Sequence, residues 1–446
     1  MDLLLRGGTV VTCDPHHRIF DGDVLVRGER VVAVGDEARR LSHRPASPMR
    51  VLDARGCAVI PGFVQAHVHL CQALFRGMAD DLPLLEWLKA RIWPLEAAHD
   101  PESLRASAAL GVAEMLKGGT TAILDMGTVH HHDAVFEVLA ASGLRAVSGK
   151  TMMDAGDDVP AGLRETTDES LAESEALCDR WHGAEGGRLR YAFSPRFVLS
   201  CTEALFRQSA VMARKRGAWL HTHASEHPGE KAAVRAALGR DDVDALEEWG
   251  FAGPDTVLAH GVQLTAEQRR RVAKLGTRVA HCPSANLKLG SGVAKVARML
   301  KRGVVVGLGA DGAPCNNNLD AFVEMRHAAL LAKRMGDTTA LPARTVLRMA
   351  TIGGARALGI DAEVGSIEVG KRADIAVVDL TRLHCEPGGG PDARVVYAAR
   401  AGDVRHVLVD GRVLVRFGEL TTMDEERVLS DARAQGAKVR ARAGLG

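Results

Sequence analysis

Two histidines, His67 and His69, stand two positions apart where the apolar run Ala58 to Leu70 ends. In a β-strand residues i and i+2 share a face, so two imidazoles at this spacing can reach one metal ion, whereas a helix would separate them. His223, His260 and Asp311 each stand at the end of another apolar, β-branched-rich run. Three imidazoles and a carboxylate make a nitrogen- and oxygen-rich donor set that suits Zn²⁺ first, with Fe²⁺, Co²⁺ or Mn²⁺ also fitting. An ion held with one open position brings the pKa of bound water toward about 7. Glu226, three residues past His223, is then the candidate general acid/base. His260 is placed to hydrogen-bond the water or a developing oxyanion, and Asp311 to take a proton beside the metal.

A histidine alone in an apolar strand is usually a satisfied core residue, but five polar groups at the ends of several such strands are not explained that way. His221 shares a strand face with His223 and is a rival ligand. The run His130-His131-His132 is conspicuous, yet three adjacent side chains cannot share one direction, so it reads as a solvated loop or a substrate contact.

The elements that must position these groups follow from periodicity. Between residues 58 and 360, apolar strands alternate with amphipathic stretches, which calls for a parallel sheet with crossover helices. Eight strands are expected: Ala58 to Val64, Thr120 to Leu124, Arg145 to Gly149, Leu189 to Phe193, Ala218 to Thr222, Thr256 to Ala259, Thr277 to Ala280 and Val304 to Leu308. Their number and spacing fit a (β/α)8 TIM-type barrel of the α/β class, in which functional residues come from the C-terminal ends of strands. Every candidate obeys that rule. A doubly wound open sheet would not bring strands one, five and eight together.

Both chain ends have a different texture. Short apolar runs punctuated by Gly and Asp (Thr9 to Thr12, Asp23 to Val26, Arg30 to Val34) suggest antiparallel hairpins, and the same texture returns in Ser366 to Glu368, Asp374 to Val378 and Val404 to Val409. The division expected is 1–57 and 361–446 for a small β-sandwich-like domain, with 58–360 as the barrel and a terminal helix over 423–442.

A chain of 446 residues suits a large barrel plus an accessory piece. Lys plus Arg number 57 against 56 Asp plus Glu, so no whole-chain field attracts nucleic acid or an anionic membrane. The apolar run at Leu3-Leu4-Leu5 is too short for a signal peptide, and no window reaches the roughly 18 apolar residues of a membrane span. These features point to a cytoplasmic protein whose partner is a small molecule. The eight cysteines are scattered without a Cys-x-x-Cys pair, as buried free thiols would be.

Taken together, Pro61-Gly62-Phe63-Val64 with His67-Val68-His69, His223 with Glu226, His260-Gly261, His281-Cys282-Pro283-Ser284-Ala285-Asn286 and Gly309-Ala310-Asp311-Gly312 resemble the amidohydrolase superfamily. The likeness is narrower to its branch acting on cytosine, guanine, adenosine derivatives and chlorotriazines, and it takes in Ala79 to Leu88 and Gly365 to Asp374, nearly the whole chain. It implies one metal on His67, His69, His223 and Asp311, with Glu226 and His260 acting on water and substrate. Relatives with two metals carry a carboxylated lysine after strand four; here that strand ends in Ser194-Pro195-Arg196, and Lys150 follows strand three. The implied reaction is hydrolytic deamination: attack on a ring carbon bearing an amine, protonation of the ring nitrogen by Glu226, and relay of the water proton by Asp311 to departing ammonia. Relatives are often oligomeric, so a homo-oligomer is allowed.

The substrate signal lies in Leu70 to Glu96, a helical lid over the barrel mouth, and around Asn286. There the likeness is to deaminases of S-adenosylhomocysteine, methylthioadenosine and 5′-deoxyadenosine. Trp87 and Trp93 are candidates for ring stacking or for lid packing, and Gln72 for pairing with ring heteroatoms. Arg196 stands where those enzymes place a histidine and is similar to the Pro-Arg-Phe segment of guanine deaminases; its fork suits a carbonyl, a ring nitrogen, a substrate carboxylate or a rim salt bridge. The segment Ala313 to Asp320 resembles triazine hydrolases. The expected substrate is therefore an adenosine derivative, with a guanine-like purine deaminase or an s-triazine amino- or chlorohydrolase as the alternative. A non-catalytic scaffold on this fold would have lost some of the five polar positions, and none is lost.

Overall fold

The computed structural model describes residues 2–43, 48–334 and 337–445. Eight parallel strands form a barrel: Phe63–His69, Thr120–Met126, Arg145–Gly149, Leu189–Pro195, Trp219–Ala224, Thr256–His260, Arg278–His281 and Val306–Leu308. They follow one another in chain order around the ring, which closes where Val306–Leu308 meets Phe63–His69. The first two are buried at every position, which explains why they read as unbroken apolar runs rather than alternating ones. Helices such as Thr167–Trp181, Glu203–Arg216 and Ala266–Leu275 connect the strands, and their ends are legible: Thr166, Thr202 and Thr265 each accept a backbone N–H at the helix start.

One strand differs from expectation. The run Ala58 to Val64 is not a single barrel strand but the junction of two elements, Cys57–Pro61 in a second sheet and Phe63–His69 in the barrel. The break falls at Gly62, where a Cβ would lie 2.1 Å from Thr121 Cγ2, so only glycine fits. Both strands are fully buried, and periodicity cannot see a change of sheet inside a continuous apolar run. His67 and His69 therefore lie in the barrel strand itself, and the i, i+2 relation still gives them a common face.

Among the described residues the second sheet has nine strands, drawn from both chain ends. Asp2–Val11, Ile19–Arg27 and Arg30–Val34 form the antiparallel series, and Cys57–Pro61 pairs antiparallel with Ile375–Asp379, which continues to Val404–Val409 and Arg412–Arg416. Ser366 to Glu368 is not a strand; Ile367 instead donates a single backbone hydrogen bond to Thr12. By compactness the chain forms two units, one of Met1–Gln65, Ala113–Ala122 and Asp320–Asp424, the other of Ala66–Val112, Ile123–Leu319 and Glu425–Gly446.

All the candidate site residues lie in the second unit. There the segment after the first barrel strand forms short helical turns, Leu70–Phe75, Leu84–Trp87, Leu88–Ile92 with π geometry, and Trp93–Ala97. Their apolar side chains build one cluster of Leu74, Phe75, Leu84, Trp87, Ile92 and Trp93 with Phe197 and Leu289, and Ala432 and Val439 of the terminal helix Glu425–Arg442 join it. Among the described residues no helix is long and apolar enough to cross a membrane. All eight cysteines are free and buried.

Candidate functional site

Hydrogen bonds fix the tautomers of two imidazoles. His69 donates from Nδ1 to the Met126 carbonyl at 2.7 Å, and His223 donates from Nδ1 to the Arg196 carbonyl at 2.8 Å. Each Nε2 is then a bare lone pair. These two atoms face each other at 3.1 Å between rings stacked at 11°. Two acceptors at that distance repel unless a cation lies between them, and burial keeps both rings from protonating: it lowers His69 to about 3 and holds His223 well below the usual histidine range.

His67 and Asp311 complete the cluster. His67 Nε2 and His69 Nε2 each lie 3.4 Å from Asp311 Oδ1, and His67 Nε2 has no other hydrogen-bond partner. Burial opposes ionisation of Asp311, yet the His67 hydrogen bond and the surrounding imidazoles hold its carboxyl well below the usual carboxylate range. Ligand atoms of His67, His69 and Asp311, and of His67, His223 and His260, lie within 4.8 Å of one another. The donor set fits a divalent cation on chemical grounds, because the Nε2 atoms of His69 and His223 are bare acceptors and Asp311 adds an anionic oxygen beside them.

His221, the rival ligand, is not turned toward this cluster. Its Nε2 lies 3.0 Å from His67 Nδ1, so it backs His67 as the two carbonyls back His69 and His223. Asp311 pairs with the first barrel strand, opposite Val68, and has a left-handed φ of 63°. His260 has φ of 75°. Left-handed backbone at residues bearing a Cβ costs on the order of 1–3 kcal/mol each and collects at functional sites.

His260 donates from Nδ1 to Asn286 Oδ1 at 2.9 Å, which leaves its Nε2 as an acceptor 3.4 Å from Glu226 Oε2 and 3.7 Å from Asp311 Oδ2. Burial lowers His260 to about 4. Burial, helped by the charges of Asp311 and Glu230, pushes the Glu226 carboxyl well above its ordinary value. The site thus pairs a carboxyl that keeps its proton with one that has lost it.

A pocket opens beside these groups, lined by Gln72, Trp87, Arg196, Phe197, Leu84 and Leu289 along with His69, His223, Glu226, His260 and Asp311. Of the residues singled out from the sequence, His69, His223, Glu226, His260, Asp311, Gln72, Trp87 and Arg196 line it, whereas His67 does not and Trp93 packs in the apolar cluster of the lid. The Arg196 side chain is not at an exposed rim. It makes a buried two-point contact with Glu96, Nη1 to Oε2 at 2.5 Å and Nη2 to Oε1 at 3.3 Å, and Gln72 Nε2 donates to the same carboxylate at 2.8 Å. Gln72 Oε1 and Trp87 Nε1 are buried without hydrogen-bond partners. Gly312 makes room for that amide, since a Cβ there would lie 1.9 Å from Gln72 Oε1.

Sequence reasoning missed Glu96 and left Asn286 without a role. Glu96 sits in a turn too short to show periodicity; the one available signal was a lone acid among Trp93, Pro94 and Leu95. Of the histidine run, His132 departs from a solvated loop: it is fully buried and lies 2.9 Å from Ser148, whose hydroxyl donates to Asp125, and Asp125 in turn accepts the Leu70 amide. Lys150 is also fully buried, its ammonium shared between Glu165 and Glu173.

A closed parallel barrel with clustered imidazoles and a carboxylate at its strand ends defines a class, the barrel proteins with a candidate centre for a divalent cation beside a small-molecule pocket. The sequence profile described as Amidohydrolase family matches residues 58–414. The chain belongs to the amidohydrolase family. It is 42% identical over 419 residues to a 5′-deoxyadenosine deaminase of Methanothermobacter thermautotrophicus, covering 94% of this chain and 95% of that one. It is 40% identical over 434 residues to a 5-methylthioadenosine/S-adenosylhomocysteine deaminase of Syntrophobacter fumaroxidans, covering 97% of each. Among solved structures, an adenosine deaminase from Xanthomonas campestris with bound zinc superposes with a TM-score of 0.92 at 35% identity over 99% of both chains.

Proposed function

We propose that the chain is a hydrolytic deaminase that removes the exocyclic amine of a purine in an adenosine derivative of the 5′-deoxyadenosine, methylthioadenosine or S-adenosylhomocysteine type. The observation that carries this reading is the pair of bare imidazole nitrogens 3.1 Å apart, set beside a buried carboxyl that retains its proton. His67, His69, His223 and Asp311 would hold one divalent ion, zinc by donor type. Bound there, it would supply Lewis acidity and make a neighbouring water a nucleophile near neutral pH.

The chain's own groups account for the proton traffic. Asp311, ionised, accepts the proton that the water gives up as its oxygen bonds to the ring carbon. Glu226 delivers its proton to the adjacent ring nitrogen, which lets the ring take the negative charge of attack. His260 accepts a hydrogen bond from the water through Nε2 and orients it, a role that its Asn286-fixed tautomer allows and that excludes donation to an oxyanion. When the carbon–nitrogen bond breaks, Asp311 passes its proton to the amine, which leaves as ammonia, and the proton left on the new oxygen returns to Glu226 as the carbonyl forms. Trp87 and the apolar lid residues cover the ring and keep bulk water out.

A second reading, deamination of a guanine-like purine or attack on an s-triazine, is supported by the Arg196–Glu96–Gln72 group, because a fixed guanidinium suits a ring carbonyl. An ammonia-release panel of 5′-deoxyadenosine, methylthioadenosine, S-adenosylhomocysteine, adenosine, guanine and aminotriazines tests both. Preferred turnover of the adenosine derivatives supports the first reading; turnover of guanine or a triazine alone replaces it; no turnover of any of them with metal present removes both.

A further inference from the structure

Two buried carboxylates lie behind Glu226, and neither belongs to the cluster already described. Glu230 is 1% exposed and Asp242 is 3% exposed. Asp242 accepts the backbone N–H of Ser225, the Ser225 hydroxyl at 2.9 Å and the Val243 N–H at 2.7 Å. Glu230 Oε2 accepts the Glu226 N–H at 2.9 Å and the His227 N–H at 3.2 Å. Three consecutive amides, at 225, 226 and 227, are thus held by two acids.

Part of this is ordinary helix chemistry. Glu230 is the fourth residue of the capping box that opens helix Pro228–Leu238, and the bond to His227 N–H is all that such a box requires. The bond to Glu226 N–H lies one residue further out. Ser225 has a left-handed φ of 52°, a conformation that a residue with a Cβ holds only under constraint. Asp242 provides the constraint by accepting from both the N–H and the hydroxyl of Ser225, while the Gln263 N–H holds its carbonyl. Burying Glu230 and Asp242 next to a third acid costs stability, since each carboxyl loses water and burial with the Asp242 charge raises Glu230 to about 8. A lone helix cap does not call for that expense.

We propose that Glu230 and Asp242 are positioning residues that hold the Ser225–His227 turn so that the Glu226 carboxyl stays against His260. The proposal rests on the reading of Glu226 as the acid/base of a deaminase. Glu230→Ala removes the acceptor, and displacement of Glu226 by even an ångström lowers kcat on the order of 10- to 100-fold. KM and bound metal stay close to wild type. Glu230→Gln keeps an oxygen for both amides and recovers most of the loss, while Glu230→Asp, too short to reach, behaves as the alanine variant does and serves if the alanine variant does not fold.

A double-mutant cycle separates positioning from general destabilisation. In a Glu226→Gln background the Glu230→Ala change adds no further loss, because the proton donor it positions is already gone. A Glu230→Ala enzyme with wild-type turnover, or a loss that simply multiplies with that of Glu226→Gln, overturns the proposal. Crystal structures of wild type and Glu230→Asp give a reading independent of substrate: the proposal expects the Glu226 and His227 amides to turn away from residue 230 and the Glu226 carboxylate to move off His260, with Ser225 still held by Asp242. An unchanged turn refutes it even if the wild-type protein deaminates nothing, whereas an inert wild type with a turn that does move refutes only the deaminase reading.

Discussion

The Nε2 atoms of His69 and His223 lie 3.1 Å apart, and neither can donate to the other, because each ring has already given its only proton to a carbonyl. An ion between them removes a lone-pair repulsion as well as forming two bonds. Chelation should therefore abolish turnover and also lower the melting temperature, with both restored by about one equivalent of zinc. Thermal melts and metal analysis on dialysed protein check this; a melting temperature indifferent to chelator and to added zinc would count against a centre at these histidines.

Glu226 touches His260 and lines the cavity but makes no contact with His67, His69 or His223 that would anchor an ion. Glu226→Gln keeps the side chain's size and hydrogen-bonding while losing the transferable proton. We expect metal content unchanged and kcat reduced on the order of 10²- to 10⁴-fold. Near-normal ammonia release by the variant would remove Glu226 from the mechanism.

The Arg196–Glu96 pair predicts a stability effect that differs from its effect on metal. Arg196→His leaves the Arg196 carbonyl, and with it the His223 tether, in place, so bound metal should not change. It strands the Glu96 carboxylate in a buried position, and breaking such a pair from one side costs about 3–5 kcal/mol. Adding Glu96→Gln to Arg196→His should recover part of the lost melting temperature. Relative rates across the heterocycle panel should shift in both variants. An unchanged substrate profile would mean that the fork does not meet the substrate.

Glu230 sets a pH dependence whose sign can be worked out. Burial, with the charge of Asp242, raises its carboxyl from 4.5 in the unfolded chain to about 8 in the folded one. Between those values the native chain holds a proton that the unfolded chain has released, so the stability is full below about 4.5 and is lost as pH rises through about 8. Glu230→Gln removes this dependence. The melting temperature of the glutamine variant relative to wild type should climb between pH 5 and pH 8. A constant gap across that window would show that Glu230 ionises in the folded state as it does in the unfolded one.

The barrel was legible because each of its strands is a buried run with its polar residue at or near the C-terminal end, a pattern that survives in one dimension. His67, His69, His223, Glu226, His260 and Asp311 were visible for the same reason. What was hidden depends on partners distant in sequence. Glu96 meets Arg196 across 100 positions, and His221 meets His67 across 154, so no local spacing announces either pair. The first strand was misjudged because one apolar run serves two sheets, and only the room allowed to Gly62 by Thr121 divides it. His132 was read with its neighbours as a solvated loop or a substrate contact, although the three histidines of that run differ in burial.

Arg196 reaches the centre by two routes that share no atoms. Its main-chain oxygen tethers His223, and its guanidinium shapes the wall that a substrate would meet. Any amino acid provides the first, whereas the second depends wholly on the side chain. Substrate range can therefore drift at this position while the ability to hold an ion is inherited unchanged, which makes residue 196 a place where one scaffold can diverge toward new heterocycles without first losing its chemistry.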